Sequence, residues 1–269
     1  MNVVLSIAGS DSSGGAGIQA DLKTFEAFGV FGCSVLTVLT AQNTTGVNAI
    51  SEIKPEFVKA QIEAVMNDFD VKAIKIGMLF SNDVIDVIKA FLQTVEHIPV
   101  VLDPVCISKS NVKLLSDDAI ENLKTLFPYS TLITPNLYEA KMLFSDGFDT
   151  KKMSRFDECA VVIKNQKLHI NGHDRSVDTL YKNGKTIQFD TPFLQSSHTH
   201  GTGCSFSSAI AANLALGKEL KEAIALSKKF IYLGIKNAPH IGHGKGPIAH
   251  KKAAEICFIK EKREENRKT

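Results

Sequence analysis

Short, nearly uninterrupted apolar runs alternate with amphipathic stretches along this chain. Val3 to Ala8, Cys33 to Thr40, Ala73 to Gly77, Pro99 to Asp103, Thr131 to Thr134 and Ala160 to Lys164 predict strands. Several are apolar on both faces, as in the interior of a parallel sheet. Helical patterns lie between them. Pro55 suits a first helical turn, and Val58, Ile62, Val65, Met66 and Phe69 follow at 3.6-residue spacing. Asp83 to Val95, Ser116 to Phe127 and Leu137 to Phe144 read the same way. Val177 to Phe189 differs: it predicts two strands around an Asn183-Gly184 turn, the commonest hairpin signal. The alternation predicts an open, mainly parallel sheet with helices on both faces, whose ligands bind beyond the carboxyl ends of the strands. No repeat, low-complexity linker or domain boundary interrupts it, so residues 1–269 are expected to form one domain, with a polar tail from 260 to 269 that frays.

Composition narrows the function classes. Lys plus Arg number 31 against 29 Asp plus Glu, a formal charge of +2 that gives no ground for a nucleic-acid partner. Cys33, Cys106, Cys159, Cys204 and Cys257 are scattered with no CxxC pair, which predicts neither a disulfide framework nor a zinc ribbon. The stretch MNVVLSIAGS lacks the features of a signal peptide, and no apolar run reaches the ~18 residues of a membrane span. A cytoplasmic protein with no membrane partner is expected.

Two glycine-rich segments carry candidate chemistry. Gly9-Ser-Asp-Ser-Ser-Gly-Gly-Ala-Gly17 follows the first strand and opens a helix. Gly9 and Gly14 have P-loop spacing, but Gly15-Ala16 stands where Lys-Ser/Thr is required. Gly15-Ala-Gly17-Ile-Gln-Ala20 matches GxGxxA, yet the turn is too long and the next strand ends in Thr40-Ala-Gln-Asn43, with no acidic residue for a ribose. Asp21, one turn into the helix, either faces the site or complements the helix dipole. The second segment, His198-Thr-His-Gly201-Thr-Gly-Cys204-Ser, precedes the apolar helix Phe206 to Leu216. Glycines flanking Thr202 let backbone N–H groups converge at a helix N-terminus, a cradle for phosphoryl oxygens without any cationic side chain. Cys204, in the first turn, is where the helix dipole lowers a thiol pKa. His198 and His200 lack a third metal ligand at sensible spacing.

The blocks AGSDSSGGAGIQADLKTFEAFGVFGCSVLTVLTAQNT, KIGML, LDPV, TPNLYEA, HTHGTGCS and GHGKGP, in this order, closely resemble the hydroxymethylpyrimidine and phosphomethylpyrimidine kinases of thiamine biosynthesis. The resemblance covers about residues 3 to 250. It implies a ribokinase-like three-layer sandwich, ATP and Mg²⁺ as co-reactant and cofactor, and a small pyrimidine substrate phosphorylated first on its hydroxymethyl group and then on the monophosphate. It implies that Gln42 recognises the aminopyrimidine edge and that Gly9, Met78 and Val105 line the ring pocket, with Asp21 counted in the substrate set. Asp103, Asn136 and Glu139 match polar positions around Mg²⁺ and the phosphates, Asp103 and Glu139 being the metal candidates. Gly201, Thr202 and Gly203 match an anion hole, and Cys204 stands where related sugar kinases carry an aspartate base. Lys164, Asn136, Gly242 and Gly244 fall on the nucleotide side. Relatives are commonly homodimers.

The chain departs from that pattern in places. Lys164 is followed by Asn-Gln-Lys-Leu-His-Ile-Asn-Gly-His173 where Lys-Gly-Gly-His is usual, so a nucleotide-side loop is expected to differ. The stretch between Glu139 and Lys164 is short, as though most of a helix were missing. Cys106 replaces a usual methionine, and Ser108 stands where some pyridoxal-kinase-like relatives carry a lid cysteine. Alternative readings are a pyridoxal kinase, a pyrimidine sensor without catalysis, and a nicotinamide oxidoreductase, which the missing acidic residue disfavours.

Overall fold

The computed structural model describes residues 1–106, 115–144 and 159–265. Nine strands form one sheet in the order β3-β2-β1-β4-β5-β6-β7-β8-β9. They are β1 (Val3–Asp11), β2 (Phe31–Asn43), β3 (Gly46–Glu52), β4 (Val71–Ile76), β5 (Val100–Leu102), β6 (Leu132–Ile133), β7 (Ala160–Ile170), β8 (His173–Lys182) and β9 (Lys185–Pro192). The pairings from β2 through β7 are parallel, while β3, β8 and β9 add antiparallel edges.

Period-two alternation in the central strands explains the three layers. Leu5 and Ile7 of β1, Ile74 and Ile76 of β4, and Val161 and Ile163 of β7 pack on one face. Val4, Ala73, Ala160 and Val162 pack on the other. The first face is covered by α2 (Pro55–Met66), α3 (Asn82–Leu92), α4 (Asp117–Lys124) and α5 (Leu137–Phe144). The second is covered by α1 (Gly17–Ala27), α6 (Thr202–Ala215), α7 (Leu220–Lys236) and α8 (His250–Glu265). Alternate residues therefore enter different cores, and both faces bury apolar area at roughly 25 cal/mol per Å². The expected three-layer α/β architecture is what forms. No helix among the described residues is long and apolar enough to cross a membrane.

Three elements differ from the sequence expectation. β3 arises from a stretch with no apolar run; nearly all of it is exposed, so it is held by ladder hydrogen bonds to β2 rather than by burial. The segment after Lys164 is not a loop: β7 continues to Ile170, turns at Asn171-Gly172 and returns as β8. Asn171 (φ 49°) and Gly172 (φ 80°), like Asn183 (φ 50°) and Gly184 (φ 69°), take the two positive-φ positions of a tight hairpin turn. α8 stays helical to Glu265, past the expected onset of fraying at 260; residues 266–269 lie outside the described residues. So do Ser108 and most of the short stretch between Glu139 and Lys164.

Candidate active site

Loops at the carboxyl ends of β1, β4, β5 and β6 meet the N-terminus of α6 around one cavity of about 890 Å³. Its wall includes Gly9, Gln42, Met78 and Val105. Asp103, Asn136, Glu139, Lys164, Gly201, Thr202, Gly203, Cys204 and Gly244 line it as well. So do Ser176, Asp178, Phe193, Lys228, Ile231 and Tyr232. Gly242 is not part of the wall; it packs on Thr44 with φ +78° and holds the 242–247 segment against the β2–β3 turn.

The first loop is organised by Asp11. Its Oδ1 accepts from Ser13 N–H (2.9 Å) and Ser13 O–H (2.8 Å). Its Oδ2 accepts from Gly15 N–H (3.1 Å), Ala16 N–H (2.8 Å) and His200 Nε2 (2.7 Å). Burial opposes the charge, but the His200 and Ser13 hydrogen bonds and the field of His200 outweigh it and hold the carboxyl at about 2. The proton on His200 Nε2 is thereby fixed toward Asp11, and this decides the orientation of Gln42. Gln42 has Nε2 3.3 Å from His200 Nε2 and Oε1 3.2 Å from Thr40 Oγ1. Thr40 spends its one hydroxyl proton on the Ser10 carbonyl at 2.7 Å. Two donors would then face one another at His200 and two acceptors at Thr40. Proton counting assigns the exchanged amide, its carbonyl on His200 and its NH₂ on Thr40.

The second constellation surrounds α6. Gly201 caps it with φ +77°, and a Cβ there would run into the Gly15 carbonyl oxygen, so glycine is required on both counts. Thr202 N–H bonds the Thr199 carbonyl at 3.3 Å, and the N–H groups that follow it in the first turn have no carbonyl within the helix to bond. A Cβ on Gly203 would lie 3.3 Å from Lys164 Nζ and 3.7 Å from Asp103 Oδ2, which places a cation, a carboxylate and a helix N-terminus side by side. Lys164 reaches this point through a bulge: the β7 register slips between Ile163 and Gln166, Asn165 adopts φ 62°, and its N–H bonds Asp178 Oδ1 at 2.7 Å. Lys164 Nζ bonds Asp103 Oδ1, which also accepts from Thr134 Oγ1 at 3.1 Å. The departure from the usual sequence after Lys164 therefore leaves its ammonium in the cavity.

Asn136 caps α5. Its Oδ1 accepts from Tyr138 N–H (2.8 Å) and Glu139 N–H (2.9 Å), and Glu139 Oε2 accepts from Asn136 N–H (2.8 Å), a reciprocal capping box. Burial and the Asp103 charge push the Glu139 carboxyl up to about 7, against the opposing pull of Lys164 and the Asn136 N–H. Lys164 stays cationic: burial works against its charge, but Asp103 and Glu139 hold its pKa above the ordinary value.

Two expectations are corrected. Asp21 is fully buried and does not line the cavity; it accepts from Ser6 Oγ (2.6 Å), Lys75 Nζ (2.8 Å) and Ser208 Oγ (2.7 Å). The Cys204 thiol is raised rather than lowered. Burial dominates, Asp21 and Asp103 add to it, and the Lys75 charge and a Gly17 N–H only partly offset it. The sequence reading also missed Asp11, His200 as a neighbour of Gln42 on the cavity wall, and Lys75. A lysine inside the apolar run Ala73 to Gly77 was the available signal, since buried lysines occur only with a partner.

Mg²⁺ takes oxygen ligands and keeps several waters, so one or two carboxylates suffice. Asp103 and Glu139, both buried and on the cavity wall, fit that requirement. Among the described residues no group of three or more His, Cys, Asp and Glu could enclose a metal. The pair would therefore hold a divalent cation only with phosphate and water completing its shell.

The sequence profile described as phosphomethylpyrimidine kinase matches residues 11–249. A thiamine biosynthesis bifunctional protein, ThiED of Geobacter sulfurreducens, is 44% identical over 94% of this chain, which spans 53% of that longer protein. A hydroxymethylpyrimidine/phosphomethylpyrimidine kinase of Staphylococcus aureus is 39% identical, with 92% of this chain and 93% of that protein covered. Among solved structures, an ADP complex of Bacillus subtilis pyridoxal kinase superposes with a TM-score of 0.83 at 35% identity, covering 94% of this chain and 98% of that one.

Proposed function

The chain belongs to the phosphomethylpyrimidine kinase family, and from that premise we propose that it phosphorylates hydroxymethylpyrimidine and then its monophosphate, using ATP, in thiamine biosynthesis. The observation that carries the reading is one cavity lined both by Gln42 and by the α6 N-terminus with Lys164. In this reading the ring lies between Gly9, Met78 and Val105, where a Cβ on Gly9 would sit 2.7 Å from Val38 Cγ1 and 3.7 Å from Met78 Sδ. The Gln42 amide, oriented by His200 and Thr40, offers a donor and an acceptor to the aminopyrimidine edge.

The phosphates lie on the backbone N–H groups of Gly203 and Cys204, with Lys164 balancing their charge; such preorganised donors stabilise a migrating phosphoryl group. Cys204 Sγ takes the hydroxymethyl proton. Asp103 and Glu139 would hold Mg²⁺, which supplies charge neutralisation on the nucleotide phosphates. Phe193, Ile231 and Tyr232 give the adenine an apolar wall, and Gly244, with Gly242 behind it, closes the 242–247 side. A homodimer and a cytoplasmic location belong to the same proposal through the family likeness alone.

A substrate panel with product masses tests it. Hydroxymethylpyrimidine with ATP and Mg²⁺ should gain one and then two phosphates, and chelation should stop both. The likeness to a pyridoxal kinase supplies the competing arm. Turnover of pyridoxal in preference to the pyrimidine would replace this reading, and nucleotide-independent binding without turnover would leave only a sensor.

A further inference from the structure

Gly242-His-Gly-Lys-Gly-Pro247 has the glycine content of a phosphate-binding loop, which works through N–H groups left open to a ligand. Two of its N–H groups are already engaged. Gly244 N–H bonds Thr44 Oγ1 at 3.1 Å, and Lys245 N–H bonds the Thr44 carbonyl at 2.8 Å. The alternate glycines answer to neighbouring chain as well. A Cβ on Gly242 would lie 2.5 Å from Thr44 Oγ1 and Cγ2, and one on Gly244 would run into the Thr44 carbonyl oxygen. One on Gly246 would lie 2.5 Å from His198 Nδ1. These glycines serve the close approach of two other pieces of backbone.

Both pieces lead to Gln42. Thr44 stands two residues after it, in the β2–β3 turn. The Gln42 main chain is held on Ser12 Oγ, which accepts from its N–H at 2.8 Å and donates to its carbonyl at 2.7 Å. Asn43 Oδ1 tightens the turn by accepting from Thr45 N–H (2.9 Å), Thr45 Oγ1 (2.6 Å) and Gly46 N–H (3.3 Å). Beyond the turn β3 is exposed along almost its whole length, so little burial holds the hairpin in place. On the other side, the Gly246 carbonyl accepts from His200 N–H at 3.0 Å, and the His198 ring packs edge-on against His240 with 4.2 Å between centroids. His200 Nε2 in turn lies 3.3 Å from the Gln42 amide. The contacts close a circuit from Gln42 along the chain to Thr44, across to Gly244 and Lys245, from Gly246 to His200, and back to Gln42.

We propose that the 242–246 segment is a positioning element for Gln42, latched to Thr44 on one side and to His200 on the other, which sets the separation of Gln42 from His200 and with it the fit of a flat, amino-bearing nitrogen ring. The inference rests on the reading of Gln42 as the residue that recognises the ring. It moves Gly242 and Gly244 from the nucleotide side, where the family likeness puts them, to the substrate side. An amide reads a paired donor and acceptor only when both hydrogen bonds form at good distance and angle. A β2–β3 turn free to swing would spread Gln42 over many positions, and each arriving ring would have to order it again at the expense of affinity. The Thr44 latch removes that freedom before the substrate binds.

The test is a set of KM values for hydroxymethylpyrimidine and for ATP on the full-length protein and three variants. Thr44→Val keeps the branched shape and removes the acceptor of Gly244 N–H, Thr44→Ser keeps the hydroxyl, and Gly244→Ala pushes a methyl group at the Thr44 carbonyl. Thr44→Val should raise KM for the pyrimidine by about 10-fold and Gly244→Ala by at least as much, while Thr44→Ser should stay within about 2-fold of wild type. KM for ATP should hold in all three. An equal rise in both KM values would return the segment to the nucleotide side and overturn the proposal. An unchanged pyrimidine KM in Thr44→Val, or the same loss in Thr44→Ser, would overturn it too. Hydrogen exchange of the unliganded protein gives a readout that needs no turnover: Thr44→Val should speed exchange in peptides covering 41–47 and 240–247 together, and acceleration in only one of them, or in neither, would dismiss the latch. Failure of the wild type to phosphorylate any pyrimidine would instead overturn the functional reading, and the exchange comparison would still decide whether Thr44 ties the two segments together.

Discussion

Asp11→Asn isolates what the first loop contributes. Five donors converge on the two carboxylate oxygens: the N–H and O–H of Ser13, the N–H groups of Gly15 and Ala16, and His200 Nε2. An asparagine can satisfy only one oxygen's share, because its NH₂ must then point at donors. The carboxyl is 2% exposed and falls from 3.8 to about 2 on folding. A depression of that size corresponds to about 2.5 kcal/mol of stability. The sign is that of a carboxylate ionised more readily when folded: the contribution is complete above pH 3.8 and is lost as pH falls through 2. Loss of hydrogen bonds to a charged acceptor gives a similar figure, so Asn should destabilise the protein by about 2–4 kcal/mol at pH 7.

Urea unfolding at pH 7, 5 and 3 measures this. With a slope of ~2–3 kcal/mol per M, the midpoint should fall by roughly 1 M at unchanged slope. The gap between wild type and variant should stay constant from pH 7 to 5 and narrow at pH 3. Freed from Asp11, His200 no longer fixes Gln42, so KM for the pyrimidine should rise while KM for ATP holds. A loss below about 1 kcal/mol at pH 7, or a gap that does not narrow in acid, would refute the argument that this carboxylate organises the loop.

Gln42→Leu should raise KM for the pyrimidine by roughly 10–100-fold and leave ATP binding unchanged, since the ring's amino group loses its partner at about 1–3 kcal/mol; equal effects on both substrates would place Gln42 outside the ring pocket. Gly201→Ala forces a side chain into φ +77° and into the Gly15 carbonyl, whereas Gly217→Ala meets φ +79° with nothing within 4 Å. Each should cost about 1–2 kcal/mol of stability for its left-handed backbone, but only Gly201→Ala should lower kcat, by roughly 10²-fold. Equal kcat values for the two would detach the Gly15–Gly201 contact from catalysis.

The central fold was readable because each buried strand needs apolar residues on two faces, a demand that leaves an unbroken run such as Val3 to Ala8. Edge elements carry no such demand. β3 is exposed along almost its whole length, and the distal half of β7 alternates between half-buried and exposed, so ordinary polar sequence forms both. The Asn171-Gly172 turn was nonetheless present in the sequence, with the same dipeptide that marked Asn183-Gly184. Its first flank, Lys-Leu-His-Ile, alternates polar and apolar residues, but its second, His-Asp-Arg-Ser, has no apolar residue, so the pattern that makes such a dipeptide a hairpin signal stands on one side only. At the site, the motif residues came together because they end strands that are neighbours in the sheet. Asp21 was misplaced for a different reason: a motif gives the spacing from Gly17, not the direction in which the helix face points. That direction became visible only with Lys75 and Ser208, which lie 54 and 187 residues away.

The described ion pairs fall into two groups. Pairs such as Lys59–Glu63 and Lys72–Asp70 lie in solvent and contribute little. Four others are nearly removed from it: Asp11–His200, Asp21–Lys75, Asp103–Lys164 and Asp178–Lys228. Each joins residues 50 or more positions apart, and each places at least one partner on the same cavity wall. Stability does not account for them, because desolvating two charges costs several kcal/mol per ion and apolar replacements are often neutral or better. Four costly pairs gathered at one cavity are what a phosphoryl-transfer site requires. Charges held rigid before the nucleotide arrives need not reorganise as negative charge moves from the γ-phosphoryl group to ADP. Lys75 and Lys228 anchor strand ends and helices from below, while Asp103 holds Lys164 in place beside the α6 N-terminus until phosphate oxygens compete for it. The carboxylates thus set where each cation is held before any phosphate arrives.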